Sequence, residues 1–200
     1  MALIEFETVG VTRPGETQSG DRHLVQPFDG GVLVGVVDGI GHGEEAAIAA
    51  KEAVAALREH ASDPLVSLLQ NCHQRLRPTR GVVLSLASFN ARGGTMTWLG
   101  VGNVEGIFFR ADPRSGTPPE RLLLRGGVVG KLLPPVRPAT LPLLADDVLI
   151  LATDGVRSDF ACDKALGGPL SKVANHIIAW HHKRSDDALV LVARYLGEKS

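Results

Sequence analysis

The residues best placed to do chemistry are aspartates at the tips of apolar runs. Asp38-Gly39 follows VLVGVV, Asp154-Gly155 follows VLILAT, and Asp186-Asp187 stands immediately before ALVLVA. An apolar run without polar alternation marks a strand covered on both faces, so a carboxylate at its end is held rigidly while reaching the rim of the sheet. If the strand ending at Asp154 runs antiparallel to the one starting after Asp187, Asp154 and Asp186 meet at one edge, and Asp38 joins them from another sheet. Three or more carboxylates at one rim repel each other unless a cation lies among them. Oxygen-only ligation suits Mg2+ or Mn2+, and no His/Cys set competes as a zinc site. Gly39, lacking a side chain, is able to offer its backbone carbonyl to the same ion. A lone Asp-Gly is ordinarily a turn, and Asp29-Gly30 reads as one; repetition at the ends of three apolar runs is what favours a metal site.

The elements that hold these aspartates follow from the spacing of the apolar residues. Residues 3–9 (LIEFETV), 22–28 (RHLVQPF) and 30–38 (GGVLVGVVD) have strand character, with Asp29-Gly30-Gly31 as a hairpin turn between the last two. Ala47, Ala50, Val54, Leu57 and Ala61 then recur at 3-4-3-4 spacing, opposite Glu44/Glu45, Lys51/Glu52 and Arg58/Glu59, which predicts an amphipathic helix over 44–61. Asp63-Pro64 forms an N-cap and first-turn pair for a second helix carrying Leu65, Leu68, Leu69 and Leu76. Residues 81–90, 95–103 and 105–110 return to strand character with tight turns, an antiparallel meander. Residues 111–120, with three prolines, read as an exposed loop, and 121–125 and a Pro-rich stretch over 134–142 lead into DDVLILATDG. A last helix is expected from about 169 to 183, with Leu170, Val173, Ile177 and Trp180 on one stripe, and a strand over 186–196 closes the chain. Two groups of consecutive strands with helices in pairs predict an α+β sandwich with a helix layer on each outer face of two stacked, mainly antiparallel sheets.

Composition narrows the function classes. The 200 residues are 44% hydrophobic and 22% charged, which describes a globule rather than a disordered tail, and one domain, 1–200, buries roughly 70% of its unfolded surface. A net charge of -1 leaves no basic excess for nucleic-acid phosphates. The longest apolar stretches, residues 30–37 and 148–152, are too short to span a bilayer, and MALIEFETVG lacks a signal-peptide pattern, so neither membrane nor nucleic acid is an expected partner. Cys72 and Cys162, without CxxC spacing, suit a reducing compartment, and the expected location is the cytoplasm.

Five segments, in order, are SGDR (19–22), VVDGIGHGEEAAIAA (36–50), GVGN (100–103), LLADDVLILATDGV (143–156) and SDDALVLVA (185–193). They resemble the motifs of the metal-dependent type 2C (PPM) protein serine/threonine phosphatases, and specifically their bacterial SpoIIE-like branch. The loop Asp38-Gly39-Ile40-Gly41-His42-Gly43 fits that branch's DGxGHG pattern at every fixed position. The resemblance implies a four-layer αββα sandwich flanked by helix pairs, with a centre of two Mn2+ or Mg2+ ions. By position, Asp38 would bridge both ions, the Gly39 carbonyl would bind one, Asp154 and Asp186 would hold the other, and Asp21 would act on the first. Asp186 is preferred to Asp187 because the family motif places its ligand first in the acidic pair. The implied reaction is direct hydrolysis of phosphoserine or phosphothreonine by an activated water, with phosphorylated STAS-domain stressosome proteins as substrates and a monomeric enzyme.

The chain departs from the family pattern in two places. Glu16, Thr17 and Gln18 occupy the stretch where the eukaryotic branch has a phosphate-clamping Arg, with Arg13 and Arg22 as nearby candidates, and Leu189 stands where the last motif often has Thr. His42 has two readings, as proton donor to the leaving seryl oxygen or as a cap on its own loop or the following helix. His181 and His182 read as surface residues at a helix C-terminus. The run 126–131 is not a phosphate loop, being one residue short between glycines and followed by Leu132; it resembles instead the family's Gly-containing turn before the penultimate metal strand. Three rival readings are a catalytically silent docking module, a receiver-like phosphoacceptor, which the consecutive strands disfavour, and a small-molecule phosphoesterase, since carboxylates and metals do not identify the leaving group.

Overall fold

A computed structural model describes residues 2–111, 118–162 and 168–197; within the loop expected over 111–120, residues 112–117 lie outside the described residues. One sheet contains β1 (Ile4–Val11), β11 (Ala188–Tyr195), β10 (Val148–Ala152), β6 (Glu105–Phe109) and β7 (Glu120–Arg121), in that order. The other contains β2 (Asp21–Phe28), β3 (Gly31–Gly39), β4 (Val82–Asn90), β5 (Thr95–Val101) and β8 (Leu124–Arg125), with β9 (Ala139–Pro142) also paired to β5. All pairings are antiparallel except the two-residue β5·β8 contact. β9 falls in the Pro-rich stretch that shows no strand signal; a short edge strand tolerates prolines that a central strand would not.

Alternation along each central strand builds three apolar layers. Val32, Val34 and Val36 of β3 face Leu149 and Leu151 of β10 and Leu189, Leu191 and Ala193 of β11 between the sheets. Leu33 and Val37 face the other way, onto α1 (Glu44–Glu59) and α2 (Leu65–Arg75). Ile150, Ala152, Val190 and Val192 face α3 (Leu170–His181) and a 3-10 helix (Ser158–Cys162). Burial on both faces explains why these strands read as unbroken apolar runs, and the result is the αββα order, with α3 and the short 3-10 helix forming the second outer layer. Among the described residues no helix is long and apolar enough to cross a membrane.

The first helix layer lies close to its sheet because α1 buries alanines, among them Ala46, Ala49, Ala50 and Ala53. A Cβ at Gly39 would collide with the Ala46 carbonyl, so the glycine after Asp38 is needed for the helix to begin where it does. His181 is not a surface residue: it is 8% exposed, and its Nδ1 lies 2.8 Å from an Asp159 carboxylate oxygen. The end of α3 packs against the 3-10 helix, which a helix-end reading of the sequence does not reveal.

Phe108, fully buried between the sheets, meets Trp98 edge to face at 6.3 Å between ring centroids. Phe108→Ala is expected to cost about 3–5 kcal/mol, read as a lower urea midpoint at unchanged slope.

Candidate active site

The layer between the sheets changes from hydrocarbon to acid at one end. β3 presents Val32, Val34 and Val36 inward and then Asp38; Asp21, at the start of β2, is its direct cross-strand partner. From the other sheet, the residues just past β10 and just before β11 bring Asp154, Asp186 and Asp187 to the same end. All five carboxylates line one cleft of about 420 Å³, together with Arg13, His42, Asn103 and the backbone of Gly41, Gly102 and Gly126. The antiparallel pairing of β10 with β11, Ala152 opposite Val190, is what brings Asp154 beside Asp186.

The two members of the acidic pair have different partners. Asp187 is 5% exposed, and both its oxygens are taken: Oδ1 accepts the Arg13 N–H at 2.8 Å and Oδ2 the Gly20 N–H at 2.7 Å. It fastens the 12–20 connection to the sheet. Among the described residues Asp186 accepts the Asp187 N–H alone, through Oδ1, and its Oδ2 has no partner. Asp154 accepts the Asn103 side-chain N–H at Oδ2, 2.8 Å away, and keeps Oδ1. Asp38 accepts no hydrogen bond from the described residues. His182, just after α3, has its Nε2 3.1 Å from the Asp186 carbonyl and steadies that turn.

Two contributors lie inside the motif segments without being among the candidate site residues. Thr153 accepts the Leu189 N–H at 2.8 Å and donates to Asp21 Oδ2 at 2.7 Å, a hydroxyl bridge between the sheets beside the site. The Leu189 amide thus finds a hydroxyl on the neighbouring strand. Asn103, within the GVGN segment, also joins the sheets through Asp154. The structure separates the two arginine candidates: Arg22 spends its guanidinium on the carbonyls of Ser19 and Asp21, whereas Arg13 supplies the one formal positive charge among the described lining residues. His42 does not cap α1, whose N-cap Gly43 has no side-chain cap bond; its ring instead meets Glu16.

Burial, followed by the charges of Asp21, Asp154, Asp186 and Asp187, pushes the Asp38 carboxyl up to about 8. Burial also raises Asp21, to about 7, against the opposing pull of the Thr153 hydroxyl and with further help from Asp187, Asp154 and Asp186. Without a cation, both acids resist ionisation until well above the ordinary carboxylate range. The donors are oxygens only, which fits hard divalent ions. Among the described residues, no three His, Cys, Asp or Glu side chains converge on one point as ready-made ligands.

The family described as Stage II sporulation protein E (SpoIIE) matches residues 29–196. Phosphoserine phosphatase RsbX of Bacillus subtilis (strain 168) is 24% identical over 189 residues, covering 92% of this chain and 91% of that protein. A chain from a structural study of the bacterial stressosome, described as a modular system adapted to control secondary messenger signalling, is 29% identical. It superposes with a TM-score of 0.84, covering 96% of this chain and 99% of that one. A crystal structure of RsbX in complex with magnesium superposes with a TM-score of 0.85 at 20% identity, covering 96% and 95% of the two chains.

Asp38 and Asp21 make the metal-free fold pH-dependent. Their carboxyls are harder to ionise folded than unfolded, so the stability they contribute is fully present below about pH 4 and is lost as pH rises through about 7–8. In chelator, Asp38→Asn is expected to melt roughly 5–10 °C above wild type at pH 8, with the difference vanishing near pH 4. A scan of Tm against pH for both proteins checks this, and an equal difference at both ends would refute it.

Proposed function

The chain belongs to the SpoIIE family, and from that premise we propose that it is a metal-dependent protein serine/threonine phosphatase acting on phosphoproteins of a stressosome. The observation that carries the reading is the convergence of five carboxylates and one arginine in a single cleft at the end of the sandwich. Asp38, Asp154 and Asp186, with the Gly39 carbonyl and Asp21, are the ligands proposed for two Mn2+ or Mg2+ ions. Such ions, when bound, offset the carboxylate charge, acidify water and draw electron density from phosphoryl oxygens.

The chain's own residues do the rest by position. Asp21 and Asp38, opposite each other in the β2·β3 register, define the floor of the cleft. Thr153 holds Asp21 by its Oδ2, and Asn103 holds Asp154 by its Oδ2. Asp187 fixes the backbone of Arg13, which lines the same cleft, and its guanidinium is the charge-assisted donor proposed to orient the phosphate of an incoming side chain. The open cleft admits a phosphorylated residue on a protein surface. Similarity to the phosphoserine phosphatase RsbX and to the stressosome-study chain supports a phosphoserine of a stressosome protein as the substrate, and we propose that phosphoserine or phosphothreonine of its STAS-domain proteins is what the cleft takes. We further propose that residues 1–200 act as one monomeric catalytic domain in the cytoplasm.

Release of phosphate from p-nitrophenyl phosphate and from a phosphoseryl peptide, with and without Mn2+, tests this reading. Asp38→Asn and Asp186→Asn are each expected to lower kcat by about 10²–10³-fold or more. Asp187→Asn is expected to lower Tm instead, because it loosens two backbone N–H groups. Full activity in Asp186→Asn would move the ligand to Asp187, and a wild-type protein that neither binds Mn2+ by calorimetry nor turns over would be a silent docking module. Arg13→Ala is expected to raise KM for the phosphopeptide about tenfold, with a smaller change in kcat.

A further inference from the structure

One side-chain pair in the cleft wall has no part in holding ions or phosphate. His42 Nδ1 lies 2.6 Å from Glu16 Oε1, with the two side chains 53% and 28% exposed. His42 lines the cleft and Glu16 does not, so the carboxylate meets the ring from behind. An ionised carboxylate only accepts, which places a proton on Nδ1. Nε2, on the other edge of the ring, has no hydrogen-bond partner among the described residues.

The surroundings build this pair rather than merely permit it. A Cβ at Gly43 would come within 2.9 Å of Glu16 Oε2, and Gly43 has φ +71°, so the last glycine of the DGIGHG loop is what leaves room for the carboxylate. Glu16 closes a turn by donating its N–H to the Arg13 carbonyl at 3.1 Å, and the Arg13 N–H is held by Asp187. The position of Glu16 is therefore set from the start of β11. An exposed ion pair adds little to stability, so the pair is not accounted for by the fold alone.

We propose that Glu16 is a positioning residue that holds His42 by Nδ1 so that the Nε2–H of the doubly protonated ring faces the cleft and protonates the seryl oxygen as it leaves phosphorus. The inference rests on the phosphatase reading. Water oxygen forms the new bond to phosphorus; the bond from phosphorus to the seryl oxygen breaks with its electron pair on that oxygen, which takes the Nε2 proton. The neutral ring is reprotonated from solvent through its exposed edge, balancing the proton that the attacking water releases.

Leaving-group dependence tests the role, because p-nitrophenolate departs without a proton and a seryl alkoxide does not. With Mn2+, His42→Ala is expected to lower kcat on a phosphoseryl peptide by about 10²–10³-fold, and on p-nitrophenyl phosphate at least tenfold less. Glu16→Ala should give the same pattern at about 10–100-fold on the peptide, with Glu16→Gln, which keeps an acceptor, recovering part of it. The double variant should be no worse than His42→Ala, since Glu16 acts through His42. Equal falls on both substrates, or fully additive effects, would overturn the role. A wild-type chain inactive on both substrates would overturn the phosphatase reading itself, and the proton transfer with it.

Discussion

Carboxylates crowded at the end of a hydrocarbon layer are the constraint around which the molecule is arranged. Asp21 and Asp38 face each other across a strand pair, where like charges are unfavourable, and burial makes ionisation harder still. A fold that keeps such a pair gives up stability in the metal-free state and gains a strong appetite for cations. Rigidity is the other half of the arrangement. The acids sit at the tips of strands covered on both faces, so charge repulsion cannot be relieved by swinging them into solvent.

That rigidity depends on backbones that approach closely at three glycines. Gly39 lets the first turn of α1 rest on β3, Gly20 lies against Ala46 and Asp187, and a Cβ at Gly155 would strike the Asp187 carbonyl. Each glycine neighbours an aspartate of the cleft, so the Asp-Gly and Gly-Asp pairs serve as packing devices as well as proposed ligands. The two sheets are tied at this end by the hydroxyl of Thr153 and the amide of Asn103, polar bonds that replace the apolar contacts running out there.

The 12–20 connection links structure to reactivity. Asp187 spends both oxygens on its backbone, and the connection in turn supplies Arg13 and Glu16 to opposite tasks, one inside the cleft and one behind its wall. Two adjacent aspartates thus divide their work: Asp186 keeps an oxygen without a partner among the described residues, and Asp187 organises the wall. The same division explains why a loop without regular structure can present charged groups in fixed places.

The sequence alone determined the α+β layers, because strands buried on both faces must be apolar throughout and α1 must alternate at helical spacing. It also singled out Asp38, Asp154 and the acidic pair, because isolated charges at the ends of such runs have few structural uses. It could not show β9, whose prolines conceal an edge strand, or the burial of His181, which depends on a neighbouring 3-10 helix. Nor could it separate Asp186 from Asp187 or Arg13 from Arg22 by what each touches. Thr153 and Glu16 are ordinary residues in ordinary company along the chain. Their partners, Asp21 and His42, lie 132 and 26 residues away. Periodicity reports which way a side chain faces its own sheet or helix; only the packing of one sheet on the other decides which distant backbone or carboxylate it meets.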